Sequence, residues 1–365
     1  MAMPTDRAAT GHSDVDHGPD AVGVTVLGCC AAWAVISATG REARPEGVLL
    51  AVLVLAGGYA GGRICGSVLP VTSSASAGLG ALCLVLVTPH GLPAVPFGGL
   101  DPPGGTGATA ALLVLSAGAT CCAAAAAGRR PARLLLWLSA FAPAGAGLAI
   151  GSPLGCAAAA GVVLCSLGAV RVRRRLPALA ACALVTAVLA GGSWAVAERA
   201  LPEAVTVAAE GTLTPHRVQL WEDAADLAEA HPLLGAGPGR FADLSPTAQQ
   251  AVHSDGKPHS APLQQAAEQG TVGVVLLGAL YCWMLYGLWR SPRPTPVVLG
   301  AGTALTGLAA LACVGNPLSF TPVTAGAGLL AGLAMARPGH EGRRLSPTQV
   351  PPVRERSAPG PHEGH

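Results

Sequence analysis

The sequence predicts an all-α integral membrane protein with about ten transmembrane helices and one large extracytoplasmic helical loop. Two observations lead to this fold class. Of the 365 residues, 51% are hydrophobic and only 12% are charged, and the mean hydropathy is +0.50. A soluble globular protein carries about 25% charged residues. Because the deficit extends over nearly the whole length, the composition indicates a polytopic membrane protein.

Ten apolar runs are candidates to cross about 30 Å of hydrocarbon at roughly 1.5 Å per helical residue. They lie near residues 21–39, 47–63, 75–88, 108–127, 134–150, 154–170, 176–197, 271–289, 297–315 and 321–336. The domain organisation is therefore seven spans over 21–197, a loop over 198–270 and three spans over 271–336. The polar ends, residues 1–20 and 337–365, are expected to be disordered.

The distribution of arginine predicts the orientation in the cytoplasmic (inner) membrane. With both termini in the cytoplasm, the arginine-rich stretches 129–133 and 171–175 fall inside, as the positive-inside rule expects. Arg41 and Arg44 are exceptions that fall outside, each close to a glutamate. The basic stretches are interpreted as orientation signals and lipid headgroup contacts, and no nucleic-acid partner is expected.

The extracytoplasmic loop over 198–270 is the one long polar segment between the apolar runs. It holds ten acidic and four basic residues, so its formal charge is 4 − 10 = −6. Thr214 and Pro215 predict the start of a helix that runs to about Ala230. Four acidic residues of that helix are expected to point mostly toward water: Glu222, Asp223, Asp226 and Glu229.

Two side chains of the loop are candidates for chemistry on a phosphate. Arg217 and Trp221 are four residues apart, so they are neighbours on the helix, where a ring can orient a guanidinium. His259 directly precedes a further helix that Ser260 is expected to cap, where backbone N–H groups favour anions. An oriented arginine and a histidine can together grip a phosphate and transfer a proton.

These elements resemble the signature of the O-antigen ligase/polymerase family of bacterial membrane glycan transferases. The family pattern is an arginine followed by a tryptophan, a Pro- and Gly-rich turn, a histidine followed by Asn or Ser, and Glu-x-Gly leading into a transmembrane helix. The matching residues are Arg217, Trp221, Pro232 to Phe241, His259-Ser260 and Glu268-Gln269-Gly270. The chain departs from the pattern in the second essential arginine that is typical of the ligases, for which only Arg240 is available in this loop.

The resemblance implies transfer of a glycan from an undecaprenyl-pyrophosphate carrier to an acceptor hydroxyl outside the cytoplasmic membrane. Arg217 would stabilise the leaving pyrophosphate, and His259 would accept the hydroxyl proton or contact phosphate. Arg240, Trp221 and Glu268 are the candidate substrate-binding residues. The implied partners are the lipid-linked donor, a glycan, lipid or protein acceptor, and the bilayer. Neither a metal nor another cofactor is implied.

Each candidate also has a purely structural interpretation. Arg217 could form an ion pair on the helix surface, His259 could be a loop histidine beside a helix cap, and Glu268 could be an interfacial helix residue. The glycine-rich turn follows a helix rather than a strand, so a helix stop explains it better than a phosphate cradle. A zinc site would need four histidines whose spacing does not suggest it: His216, His231, His253 and His259.

A different class of function remains open from the sequence alone. The alternatives are a non-catalytic polytopic membrane scaffold and a transporter of small solutes or lipids. A secondary transporter should show ionisable residues within its spans and broken helices in two matching halves. The predicted spans contain almost no charge, which favours the enzyme over the transporter.

Overall fold

The computed structural model describes residues 18–88, 106–199, 214–250 and 256–337, and these ranges are helical with no strands, which confirms the predicted all-α polytopic fold. The helices are α1 (Gly18–Ala38), α2 (Glu46–Val68), α3 (Pro70–Val87), α4 (Thr106–Ala126), α5 (Arg130–Ser139), α6 (Ala142–Ala149), α7 (Pro153–Ala169), α8 (Arg175–Ala197), α9 (Pro215–Ala230), α10 (Phe241–Leu244), α11 (Pro246–Gln250), α12 (Ala261–Arg290), α13 (Thr295–Val314) and α14 (Thr321–Met335). A 3-10 turn, Pro317–Ser319, joins the last two helices.

Eight helical stretches among the described residues are long and apolar enough to cross a membrane. They are α1, α2, α3, α4, the α5–α6 pair, α8, α12 and α13. Two further apolar helices, α7 and α14, are shorter. These ten segments correspond to the ten apolar runs of the sequence, and the chain is a multi-pass membrane protein.

The first helix begins earlier than the sequence predicted. Gly18 to Asp20 had been assigned to the disordered N-terminus, but they form the first turn of α1. The Asp20 carboxylate explains this, because it pairs with Arg63 at 2.6 Å and accepts a hydrogen bond from the Tyr59 hydroxyl at 2.6 Å. The rest of the predicted disorder, in residues 1–17 and 338–365, lies outside the described ranges.

Helix α4 forms the centre of the bundle, and most of its residues are buried. It packs against α3, α7, α13 and α14. Its sequence is rich in alanine and glycine, and such small side chains let helix backbones approach closely in a membrane. The same packing joins α2 to α14, where a Cβ on Gly62 would lie 2.3 Å from the Leu329 carbonyl oxygen.

Three arginines satisfy the carbonyl groups where helices end at one face of the bundle. Arg175 donates to the carbonyls of Ser291 at 2.7 Å and Arg293 at 2.9 Å. Arg293 itself is buried and donates to the carbonyls of Ala336, at 2.8 Å, and Gly66. Arg63 donates to the Met335 carbonyl. Because the last carbonyls of a helix lack internal partners, these bonds hold α2, α12 and α14 together. We call this face the arginine end.

Replacing Arg293 with methionine should destabilise the arginine end. The variant keeps most of the side-chain volume but leaves the carbonyls of Gly66 and Ala336 without donors. Each buried acceptor left unpaired costs about 1–3 kcal/mol. We expect a lower thermal unfolding midpoint in detergent for R293M than for the wild type. R173M should keep the wild-type midpoint, since Arg173 is exposed. Equal midpoints for the two variants would contradict this assignment.

Candidate functional site

The residues of the predicted motif fold into one unit at the end of the bundle opposite the arginine end. We call the described residues 214–250 and 256–270 the motif segment. Its buried side chains form a small hydrophobic cluster of their own that also covers the ends of α8 and α13. The cluster consists of Ala197, Leu220, Trp221, Ala224, Ala225, Phe241, Ala248, Leu263 and Ala267, with Trp194, Val196, Leu227 and Val314 packed around it.

Two acidic residues of α9 form hydrogen bonds within the protein, although the sequence predicted that they point mostly toward water. The Asp223 carboxylate does not simply face water, because it accepts hydrogen bonds from the Ser245 hydroxyl and from the Thr247 N–H at 3.0 Å. It thereby satisfies the start of α11. Glu222 accepts two hydrogen bonds of 2.7 Å from Arg199, and this pairing raises the pKa of the arginine.

A break in α12 at Gly270 receives the glycine-rich turn of residues 231–240. Gly270 has φ 69° and ψ −166°, which interrupts the helix. In an unbroken helix the Thr271 N–H would bond to the Ala267 carbonyl. Here the Thr271 N–H donates to the Pro232 carbonyl at 2.8 Å, and the Ala267 carbonyl accepts from the Ala236 N–H at 2.8 Å. The turn therefore completes the backbone hydrogen bonding of the broken helix.

Close approach of the two backbones requires glycine on both sides. A Cβ on Gly235, which has φ 65°, would lie 2.3 Å from the carbonyl carbon of Glu268. A Cβ on Gly270 would lie 2.3 Å from the Leu233 carbonyl oxygen. Both contacts are with backbone atoms that cannot move aside. The glycines of the motif are thus explained by this docking.

Substitution of Gly235 by alanine should separate the turn from the kink. The added Cβ has no room, and a positive φ also disfavours alanine. We expect faster hydrogen exchange at the amides of Ala236 and Thr271, whose bonds cross the contact. G278A is the matched control, since a Cβ on Gly278 of the same helix meets nothing within 4 Å. Unchanged exchange in G235A would contradict the docking.

Glu268 is buried directly beneath the turn, next to the residues that flank Arg240. Burial raises the pKa of its carboxyl group, and the nearby backbone N–H groups of Gly239 and Phe241 oppose this rise. The side chain of Gln264 donates to the carboxylate at 3.5 Å. The buried carboxyl group therefore lies against the part of the turn that carries Arg240.

Replacing Glu268 with glutamine should loosen this part of the turn. A carboxylate presents only acceptors to the nearby N–H groups of Gly239 and Phe241, whereas an amide places an NH₂ group against one of them. We expect faster amide exchange at Gly239 or Phe241 in E268Q. Glu229 is exposed on α9, so E229Q should leave these amides unchanged, and a similar effect in both variants would refute this role.

Arg217 and His259 lie on the surface of the same hydrophobic cluster. The half-buried Arg217 donates to the Val314 carbonyl at the end of α13, at 3.3 Å. His259 is also half-buried and has φ 54°, immediately before α12. One turn beyond each of them, Trp221 and Leu263 are both buried in the cluster. The cluster therefore links the two candidate catalytic residues.

The burial of Trp221 and the hydrogen bonding of Ser260 both differ from what the sequence indicated. The Trp221 side chain is only 1% exposed, so its ring packs inside the segment. Ser260 occupies the N-cap position of α12, but its hydroxyl makes no capping hydrogen bond there. The predicted capping by the Ser260 side chain is therefore wrong, although the helix begins where the sequence indicated.

Unpaired buried polar atoms concentrate in the motif segment. Among the described residues, five buried side-chain nitrogen or oxygen atoms have no hydrogen-bond partner, and four of these belong to the segment. The four are Trp221 Nε1, Arg240 Nε, Ser260 Oγ and Gln269 Nε2. Buried polar groups in native proteins are nearly always paired, so such a concentration is typical of a functional site.

Sequence reasoning missed the contribution of the connection between α1 and α2. Arg41 donates to the Gly235 carbonyl, and the Arg44 N–H donates to the Pro238 carbonyl at 2.7 Å. Trp33 of α1 donates its indole N–H to the Gln269 carbonyl at 3.0 Å. The sequence carried one signal of this contribution: Arg41 and Arg44 fall on the outer side of the predicted topology, whereas most arginines fall inside.

Other parts of the structure do not add to this site. In the described ranges no group of three or more His, Cys, Asp or Glu residues could hold a metal ion, and His253 lies outside those ranges. An apolar cleft of about 380 Å³ lies between α2, α3, α4 and α14. None of the residues that line this cleft belongs to the motif segment.

Fold and site together define a multi-pass membrane protein with one folded segment at an end of its helical bundle. The family model described as O-antigen ligase matches residues 138–278, from α5 into α12. This match confirms the resemblance stated from the sequence: the matched stretch is similar to the O-antigen ligase family. At the level of the family, it supports glycan transfer at a membrane with a lipid-linked glycan as substrate. A search of curated proteins gave no match.

Proposed function

We propose that the protein is a lipid-linked oligosaccharide glycosyltransferase, acting as a polymerase or a ligase in surface or exopolysaccharide assembly. It moves a glycan from undecaprenyl pyrophosphate to an acceptor hydroxyl on the outer side of the cytoplasmic membrane. The observation that carries the proposal is the assembly of the separated motif elements on one helix kink. The family match covers the same residues from Arg217 through Glu268 and Gly270.

The proposed orientation follows from the separation of charge between the two ends of the bundle. Arg63, Arg175 and Arg293 belong to the arginine end, which the positive-inside rule assigns to the cytoplasm. The motif segment lies at the opposite end and therefore faces outward. Nucleotide-activated sugars are cytoplasmic, so a donor used on the outer side has to arrive already activated on a lipid carrier.

The proposed reaction is a displacement at the anomeric carbon of the donor sugar. The acceptor oxygen forms a bond to that carbon, and the bond from the carbon to the pyrophosphate oxygen breaks. Pyrophosphate leaves with the electron pair, and Arg217 meets its growing negative charge with a guanidinium suited to bidentate contact. The imidazole of His259 takes the proton of the acceptor hydroxyl.

The remaining candidates act through these two groups or beside them. Trp221 is buried one turn from Arg217, and we propose that it positions this arginine by packing rather than by touching substrate. Glu268 lies against the part of the turn that carries Arg240. The Nε of Arg240 is buried without a partner, so its guanidinium is available as a second donor to the pyrophosphate.

Replacing Arg217 or His259 with alanine should abolish transfer without unfolding the protein. Arg217 binds the pyrophosphate and stabilises its growing negative charge, and His259 takes the proton of the acceptor hydroxyl. Loss of one such electrostatic group lowers enzymatic rates by about 10²–10³-fold. The measurement is release of undecaprenyl pyrophosphate from lipid-linked glycan by purified protein, together with surface polysaccharide in the native host.

Two variants control for charge and folding. H216A removes an exposed histidine next to Arg217 and should retain activity. R217K keeps the positive charge but loses the bidentate geometry, so it should retain only part of the rate. Full activity of both R217A and H259A, with normal membrane insertion, would disprove the catalytic assignment.

A further inference from the structure

Three arginine side chains surround the glycine turn, and two of them come from outside the matched family region. A Cβ built on Gly237 would lie 3.4 Å from Arg240 Cγ and 3.8 Å from Arg41 Cδ. A Cβ built on Gly239 would lie 3.2 Å from Arg44 Cβ. The stems of all three arginines therefore meet at neighbouring glycines. Arg41 and Arg44 precede residue 138, where the family match begins.

None of these three arginines is neutralised within the described part of the chain. The ion pairs found there are Arg63 with Asp20 and Arg199 with Glu222. The nearest acidic residues in sequence, Glu42 and Glu46, are exposed and are not within ion-pair distance of Arg41 or Arg44. Glu268, which faces the turn from α12, is buried and forms no ion pair with these arginines.

The backbone of the turn forms hydrogen bonds with Arg41 and Arg44, and both of these arginines remain exposed. Arg41 uses Nη1 for the Gly235 carbonyl, and its remaining donors lie on an exposed side chain. Arg44 contacts the turn through its main-chain N–H, so its exposed guanidinium is not needed for that contact. Arg240, whose Nε is buried without a hydrogen-bond partner, extends from the same turn. Three arginines whose stems meet at one turn, with no carboxylate partner among the described residues, are suited to an anion with several phosphate oxygens.

We propose that Arg41 and Arg44, from the connection between α1 and α2, form with Arg240 the site that binds the pyrophosphate of the lipid-linked donor. This inference rests on the proposed function and extends its binding site beyond the family region. The connection then has a role in substrate recognition, and the two arginines that depart from the charge asymmetry are explained by their ligand. A phosphate-bearing lipid headgroup shares this chemistry, and the experiment has to separate the two sources.

The test measures lipid binding to the full chain in phosphatidylcholine nanodiscs. The probes are undecaprenyl pyrophosphate, undecaprenol, which lacks phosphate, and phosphatidylglycerol, an ordinary anionic lipid. R44Q is the principal variant because Arg44 bonds to the turn through its main-chain N–H, so its guanidinium is not needed for that hydrogen bond. R41Q and R41K accompany it, and R173Q is the matched control at an exposed arginine of another loop.

We expect R44Q and R41Q each to weaken undecaprenyl pyrophosphate binding about tenfold, which corresponds to about 1.4 kcal/mol. The dependence of affinity on salt should also decrease, because each variant removes one contact with a phosphate charge. R41K should recover part of the loss, and R173Q should bind like the wild type. Binding of undecaprenol should not change in any variant.

Three outcomes would overturn the inference, and they are distinguishable. Wild-type affinity in both R41Q and R44Q, with weakened binding in R217A, removes the two arginines from the site while the proposed function stands. Equal binding of phosphatidylglycerol and undecaprenyl pyrophosphate, lost together in R44Q, identifies a headgroup contact instead. Absence of pyrophosphate binding in the wild type would contradict the proposed function itself.

Discussion

The interruption of α12 at Gly270 is the constraint on which the candidate site depends. A helix that breaks inside a membrane protein has to find new partners for the backbone groups that lose theirs. Here those partners are supplied by the glycine-rich turn, through Ala236 and Pro232. The turn also carries Arg240 and lies against the buried Glu268. Satisfying one broken helix therefore brings together the elements that the motif separates in sequence.

The hydrophobic cluster around Trp221 gives this arrangement its rigidity. It lies between α9, the first part of α12 and the ends of α8 and α13, so the segment is attached to the bundle from several sides. Arg217 and His259 each lie one turn from a buried member of the cluster. Residues on packed helices are held more accurately than residues on free loops, as the proposed catalytic roles of these two residues require.

Much of the fold follows from the sequence because membrane spans depend on local composition. The run of small and branched apolar residues in α4 and the Thr214-Pro215 start of α9 are readable in this way. The Arg41 contact with Gly235 is different, since it joins positions 194 residues apart. No local pattern specifies such a pairing. The capping role of Asp223 was missed for the same reason, because its partners Ser245 and Thr247 belong to another helix.

The order of synthesis adds a consequence to the docking of the α1–α2 connection. The ribosome completes this connection long before it reaches Gly235 and Gly270, so a nascent chain holds two arginines with no surface to receive them. These contacts can form only after α12 has been synthesised, when Trp33 can donate to the Gln269 carbonyl. A chain interrupted before that point carries most of its membrane anchors yet lacks a formed centre. Contact between the α1–α2 connection and the motif segment therefore depends on the last helices of the chain.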